Sequence, residues 1–99
     1  MKFTVNFKTP FSDSLIPVFG IISRVDNIIG NRKINNVFTD FKKTKITVDL
    51  YNSKTDCENG CIYFSQKTII FQDVNTPTMG EAFTLLKTDS EFSASVESA

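Results

Sequence analysis

Two cysteines stand four apart in TDCENGCIYF (55–64), and the chain has no others. A pair at this spacing has four chemical readings: a disulfide, half of a metal site, a redox switch, or the two ends of a tight turn. Structural zinc takes four ligands, mostly Cys and His. The 99 residues include no His, so Cys57 and Cys61 cannot complete such a site. A redox thiol needs an electropositive setting, and Asp56 and Glu58 supply the opposite. Asn59-Gly60 between two strand-like segments marks a hairpin. The loop Glu58-Asn59-Gly60 fits a type I turn followed by a left-handed Gly. Cys57 and Cys61 are then expected to face each other as a structural thiol pair, with free thiols favoured over a disulfide. A direct cross-strand bridge would be strained, and closing so short a loop stabilises little. Continuing that register pairs Thr55 with Tyr63, Leu50 with Thr68 and Val48 with Ile70. It gathers Val48, Leu50, Ile62, Phe64 and Ile70 on one face.

A second constellation mixes cations with rings. Arg32, Lys33, Lys42, Lys43 and Lys45 are interleaved with Phe38 and Phe41. Cations that neutralise phosphates beside rings that stack on bases are what a single-stranded nucleic-acid site requires. The candidate binding residues are therefore Phe38, Phe41, Lys42, Lys43 and Lys45. Asp40 and Asp49 interrupt the run, and the bland alternative is a solvated hairpin tip with one Phe in the core. The carboxylates Asp40, Asp49, Asp56, Asp73 and Asp89 are scattered, without the spacing of a metal loop. A carboxylate enzyme using Mg²⁺ or Ca²⁺ is the weakest reading. No phosphate-cradling glycine loop and no nucleophile elbow is present, so no metal or cofactor is assigned.

Composition narrows the classes further. Eleven basic residues balance eleven acidic ones, so no global field draws in polyanions. Without His there is no imidazole triad or proton shuttle. A non-enzymatic chain is expected. Ten Phe and no Trp mean that much of the buried area must be Phe. The longest apolar run, LIPVFGII (15–22), is broken by Pro and Gly and is too short to span a bilayer. MKFTVNFKTP has no secretory apolar core. The expectation is a cytoplasmic or intracellular protein without membrane association. Nine Lys against two Arg, with abundant Ile, Asn and Thr, reads as an AT-rich coding bias of the kind viral genomes carry.

The elements that must position these residues follow from periodicity. KFTVNFK (2–8) alternates strictly and predicts a strand, ended by Thr9-Pro10. In FSDSLIPVFGIISRVDNIIG (11–30), Val18, Ile22, Val25 and Ile29 recur at helical spacing. That predicts a helix with Asp13 or Ser14 as cap and Gly30 at its end. INNVFTDF (34–41) is a weaker strand, KKTK (42–45) a turn and KITVDLY (45–51) a strand. CIYFSQKTIIFQD (61–73) is one strand or two joined by a bulge. NTPTMGEAFTLLK (75–87) predicts a helix, started by Thr76-Pro77 or by a capping box Thr78…Glu81.

The fold class is thus α+β, in the order β-α-β-β-β-α. An antiparallel sheet of about four strands carries two helices on one face. Residues 1–88 form one compact domain and 89–99 a flexible tail; a short edge strand over 91–96 is the lesser alternative. The function expected is binding to another protein, a second copy included, so as to modulate or inhibit it. A nucleic-acid module around residues 38–45 is the alternative.

Overall fold

A computed structural model describes residues 1–8, 14–76 and 78–97. The expected stop at Thr9-Pro10, the Asp13 cap and the first-turn Pro77 lie outside the described residues. The chain runs β1 (Lys2–Lys8), β2 (Leu15–Ile34), β3 (Val37–Tyr51), α1 (Lys54–Glu58), β4 (Ser65–Gln72), α2 (Met79–Leu86) and β5 (Val96–Glu97). All five strands pair antiparallel in one sheet ordered β4-β3-β2-β1-β5. The α+β class holds, with five strands and a different element order.

The largest departure is β2. Twenty residues expected mainly as a helix form one long strand. Val18 and Ile22 are buried, Val25 is half-buried, and the register slips between Ile22 and Arg24. A β-bulge there inserts one residue, so the core face reads Val18, Gly20, Ile22, then Val25, Asn27, Ile29. The helical stripe 18, 22, 25, 29 therefore does share one face, but of a bulged strand. Eight of the twenty residues are Val or Ile, which suits a pleated surface.

The second departure is the turn. Asn35 and Asn36 both take positive φ, 51° and 65°, and Ile34 pairs with Val37. This is a two-residue hairpin of the primed type, whose twist matches the strands it joins. The expected break at 42–45 is instead continuous strand within β3.

The main core lies on one face of the sheet, while Phe19, 2% exposed, is buried on the other. Phe3, Val5 and Phe7 from β1, Val18 and Ile22 from β2, and Ile46, Val48 and Leu50 from β3 meet Ala82, Phe83 and Leu86 of α2. Thr78 caps α2, its hydroxyl accepting from Glu81 N at 3.2 Å, as the capping-box alternative expects. Residues 88–97 return beneath the sheet. Phe92 is fully buried, with ring centroids 6.1 Å from Phe3 and 5.6 Å from Phe7. Phe3 and Thr4 then pair with Glu97 and Val96.

One polar network ties the underside together. The chain leaves β4 through Asp73, at φ 64°, whose N–H donates to Lys42 O at 2.8 Å. Asn27 then grips the backbone of Thr76 as a strand would. Its Nδ2 donates to Thr76 O at 3.0 Å, and its Oδ1 accepts from Thr76 N at 2.9 Å. Buried Thr44 Oγ1 lies 2.9 Å from both Asn27 Oδ1 and Val74 O. An amide that serves both backbone groups of buried Thr76 is costly to remove, because those groups are left unsatisfied. Asn27→Ala is expected to lower the unfolding free energy by about 2–3 kcal/mol, read from a denaturant titration.

Candidate functional site

The molecule extends 53 × 27 × 22 Å. Its Cα radius of gyration is 15.8 Å, against about 13 Å for a compact domain of this length. The excess comes from the β2–β3 hairpin. β1 accompanies β2 only as far as Ile21, and β4 accompanies β3 only from Lys43 onward. Residues 28–42 thus project as a two-stranded ribbon, and every residue from Asn31 to Asp40 is exposed.

Strand alternation decides what each face of the ribbon carries. The face continuous with the core holds Ile29, Asn31 and Lys33 opposite Lys42, Asp40 and Phe38. The other face holds Ile28, Gly30, Arg32 and Ile34 opposite Lys43, Phe41, Thr39 and Val37. The five expected binding residues are therefore divided. Phe38 and Lys42 lie on one face, and Phe41, Lys43 and Lys45 on the other. Lys45 is further separated, in a polar hollow that also contains Asp26 and Asp49. The expected contiguous patch 38–45 does not form, because Phe38 and Phe41 are an odd number of residues apart on one strand.

Two aromatic–cation stacks stiffen the ribbon. The Arg32 guanidinium lies 5.4 Å from the Phe41 ring centroid, and Lys33 Nζ lies 5.5 Å from that of Phe38. Phe41 also lies across Gly30, where a built Cβ would sit 2.4 Å from the ring. An aromatic covering a cross-strand glycine shields backbone that would otherwise be bare. Asn31 Nδ2 donates to Asp40 Oδ1 at 2.7 Å. Over residues 28–43 four cations face one carboxylate, leaving three positive charges. The rest of the chain has seven cations and ten carboxylates, leaving three negative. Ile29, Ile34, Val37 and Phe38 are 72%, 54%, 61% and 68% exposed. Apolar exposure is what the bland reading of a solvated tip lacks.

The cysteine segment is built differently from the expectation. Ser53 caps a short helix, accepting from Asp56 N at 3.1 Å. Gly60, at φ 73°, ends it. Cys61 N donates to Asp56 O at 3.0 Å and Gly60 N to Cys57 O at 3.2 Å, the paired bonds of a Schellman C-cap. Cys57 thus belongs to α1 and Cys61 follows its end, so they do not face each other across a ladder. Both are free thiols, Cys57 half-buried and Cys61 exposed. The β3–β4 register places Val48 opposite Lys67 and Leu50 opposite Ser65, not Ile70 and Thr68. The shift is odd, so it turns Ile70 to the outer, exposed face. Ile62 is 89% exposed, and Cys61–Phe64 is not strand. The sequence did contain the missed signal: Ser53-x-x-Asp56 is a helix-start pattern.

Beside α1, the Tyr51 phenol is pushed above its ordinary value, first by loss of solvent, then by the charges that Cys57, Asp49 and Tyr63 bear when ionised. A raised phenol favours the protonated folded state. Its stabilisation is fully present below the unfolded value of about 10 and is lost as pH rises through the folded value. Stability is expected to fall as pH rises from about 10 to the folded value, and Tyr51→Phe is expected to flatten the fall in alkaline unfolding curves.

Among the described residues no three Cys, Asp or Glu converge as a metal-holding group, and no helix is long and apolar enough to cross a membrane. An open groove of about 580 Å³ runs beside α2, lined by Val74, Thr76, Thr78, Glu81, Thr84 and Leu85 among others. None of these lining residues belongs to the ribbon, and among the described residues Glu81 is the groove's one titratable group. Compared with known proteins, the chain matches no family model, no curated protein and no solved structure.

Proposed function

We propose that the chain is a non-enzymatic binding protein that engages another protein through the tip of the β2–β3 ribbon and thereby modulates or inhibits it. The observation that carries this reading is the exposure of three apolar side chains at the end of a projecting hairpin, Ile34 and Val37 on one face and Phe38 on the other. Exposed apolar side chains gathered in one place mark interaction surfaces, and a ribbon with two open sides can enter a cleft. Its positive charge suits a partner with carboxylates around an apolar recess. Affinity capture with the wild-type chain and with a Val37→Ser, Phe38→Ser variant tests it. A stoichiometric partner lost in the variant is expected; a partner retained in full by the variant rules the ribbon tip out as the contact.

The second reading is single-stranded nucleic acid. It is favoured by one observation, the four cations against one carboxylate over residues 28–43. Two features weigh against it. The rings are divided between faces, and Arg32 and Lys33 already lie over them. Titration of fluorescent single-stranded DNA and RNA at two salt concentrations separates the readings, since phosphate contacts weaken steeply with salt.

A further inference from the structure

β2 carries a long backbone edge that no described strand covers. β1 leaves it at Ile21, with Met1 O still accepting from Ile22 N at 3.0 Å. From Ser23 to Ile34 the side away from β3 has no strand neighbour among the described residues. The turn at Asn35-Asn36 makes Ile34 and Val37 a hydrogen-bonded pair, and alternation from there turns the even residues of β2 toward β3. The N–H and C=O groups of Val25, Asn27, Ile29, Asn31 and Lys33 therefore point outward. Exposed edges of this length are templates for another strand, and proteins that leave them open without a partner usually guard them with charge, proline or a bulge. This edge carries such guards toward its two ends, a bulge near Ser23 with Arg24 and Asp26, and Arg32-Lys33, but its centre is Ile28-Ile29-Gly30, with Ile29 72% exposed.

We infer that this edge pairs antiparallel with the same edge of a second copy, about a two-fold axis at Ile29. The occupant follows from the edge's own register. Outward groups meet only when odd residues pair with odd ones. Centred on Ile29, Asn27 pairs with Asn31 and Val25 with Lys33, while Asp26 stands opposite Arg32 and Ile28 opposite Gly30. By two-fold symmetry the Asp26–Arg32 pair occurs twice; Arg32 there joins a carboxylate whose Oδ1 already accepts from Arg24 Nε of its own strand at 2.9 Å. Moving one copy by two residues destroys this match. One shift sets Arg24 opposite Arg32; the other sets Gly30 opposite Gly30 and leaves Asp26 opposite Ile34. Cross-strand opposite charges favour a register and like charges oppose it.

The length fits as well. In the Ile29-centred register the new ladder runs from Arg24 to Ile34, and the second copy's turn arrives at Ser23 and Ile22, where it abuts Met1, whose O already accepts from Ile22 N. The two sheets become one continuous sheet, ordered β4-β3-β2-β2-β3-β4 across the axis, with each β1 in line with the other copy's β2. Of the tip side chains, Val37 and Phe38 belong to β3, on the opposite edge of each ribbon, and stay free for the partner proposed above, while Ile34 comes to lie opposite the second copy's Arg24. The two readings stand or fall separately.

Sedimentation equilibrium of the full chain from about 1 μM to about 1 mM tests the inference; an interface of this modest size is expected to dissociate within that range. Doubling of mass is expected for the wild type. Ile29→Lys, which places two like charges at the axis, is expected to remain monomeric with an unchanged circular dichroism spectrum and unfolding midpoint. Arg32→Glu and Asp26→Lys are each expected to weaken association at least ~10-fold. An equimolar mixture of the two is expected to associate again, because each then offers the other its opposite charge. A wild type monomeric throughout the range overturns the inference. So does a dimer that Ile29→Lys leaves intact, or single variants whose mixture stays monomeric although each is folded.

Discussion

Phe92→Ala is expected to lower the unfolding free energy by about 3–5 kcal/mol, the range for removing a buried aromatic ring from a core that cannot close around the loss. Phe92 is fully buried and touches the rings of Phe3 and Phe7. Phe3 in turn lies 5.4 Å from Phe83 of α2, so the ring closes a chain of aromatics linking β1 to the helix. It is also the anchor that holds residues 88–97 under the sheet, where β5 adds only two residues to β1. The expected signature is therefore twofold: a lower denaturant midpoint, and fast hydrogen exchange confined to residues 93–97. Phe92→Leu, which keeps much of the volume, is expected to lose less than half as much. If Phe92→Ala changes stability by no more than a surface substitution, the packing of this segment against β1 is wrong.

Gly20→Ala is the second large effect, and its contrast with Gly30→Ala makes it informative. Both glycines lie beneath an aromatic ring from the neighbouring strand. A Cβ at Gly20 would sit 2.6 Å from Phe3 Cζ, and one at Gly30 would sit 2.4 Å from Phe41 Cζ. The distances are alike, but the surroundings are not. Phe3 is fully buried, held by Phe83 and Phe92, and cannot turn away without opening the core. Phe41 is half-exposed on the ribbon and can swing into solvent. Overpacking a closed core costs about 1–3 kcal/mol and sometimes more, so Gly20→Ala is expected to cost about 3 kcal/mol. At Gly30 the loss of the ring contact is offset by the lower chain entropy of Ala, roughly 0.5–1 kcal/mol. The net change there is expected to stay within about 1 kcal/mol. Combining Gly20→Ala with Phe3→Leu, which shortens the obstructing ring, is expected to cost less than the two changes summed. Additive losses would show that the clash is not what destabilises.

The errors of sequence reading have definite causes. Val18, Ile22, Val25 and Ile29 satisfy a helical period and also a strand whose alternation slips once at a bulge. Periodicity measures which residues share a face, and in that respect it was right; it does not measure how the backbone achieves it. What selects the strand is pairing: β1 needs a neighbour over Leu15–Ile21 and β3 needs one over Arg24–Ile34. The cysteine segment shows the same ambiguity. A hairpin loop and a helix C-cap both require a left-handed Gly60, so Asn59-Gly60 marks the conformation without deciding which structure uses it. Asn35-Asn36 is a weak turn signal, because Asn tolerates positive φ less readily than Gly, and the pattern that flags a primed turn normally ends in Gly.

By itself the sequence determined what local chemistry can determine. β1 alternates against a buried face and forms as expected. α2 presents Ala82, Phe83 and Leu86 inward and is started by Thr78. The cations interleaved with the two rings are legible in the sequence before any fold is known. Tertiary structure alone decided the rest, since each remaining feature depends on a partner far along the chain. The β1 and β3 ladders made residues 15–34 a strand. The bulge near Ser23 kept one face apolar across a break in alternation. Phe3 and Phe7 drew Phe92 out of a polar tail into the core. The lengths of β1 and β4, each shorter than the hairpin beside it, left the ribbon uncovered. A site made of what its neighbours fail to cover is set by where those neighbours stop.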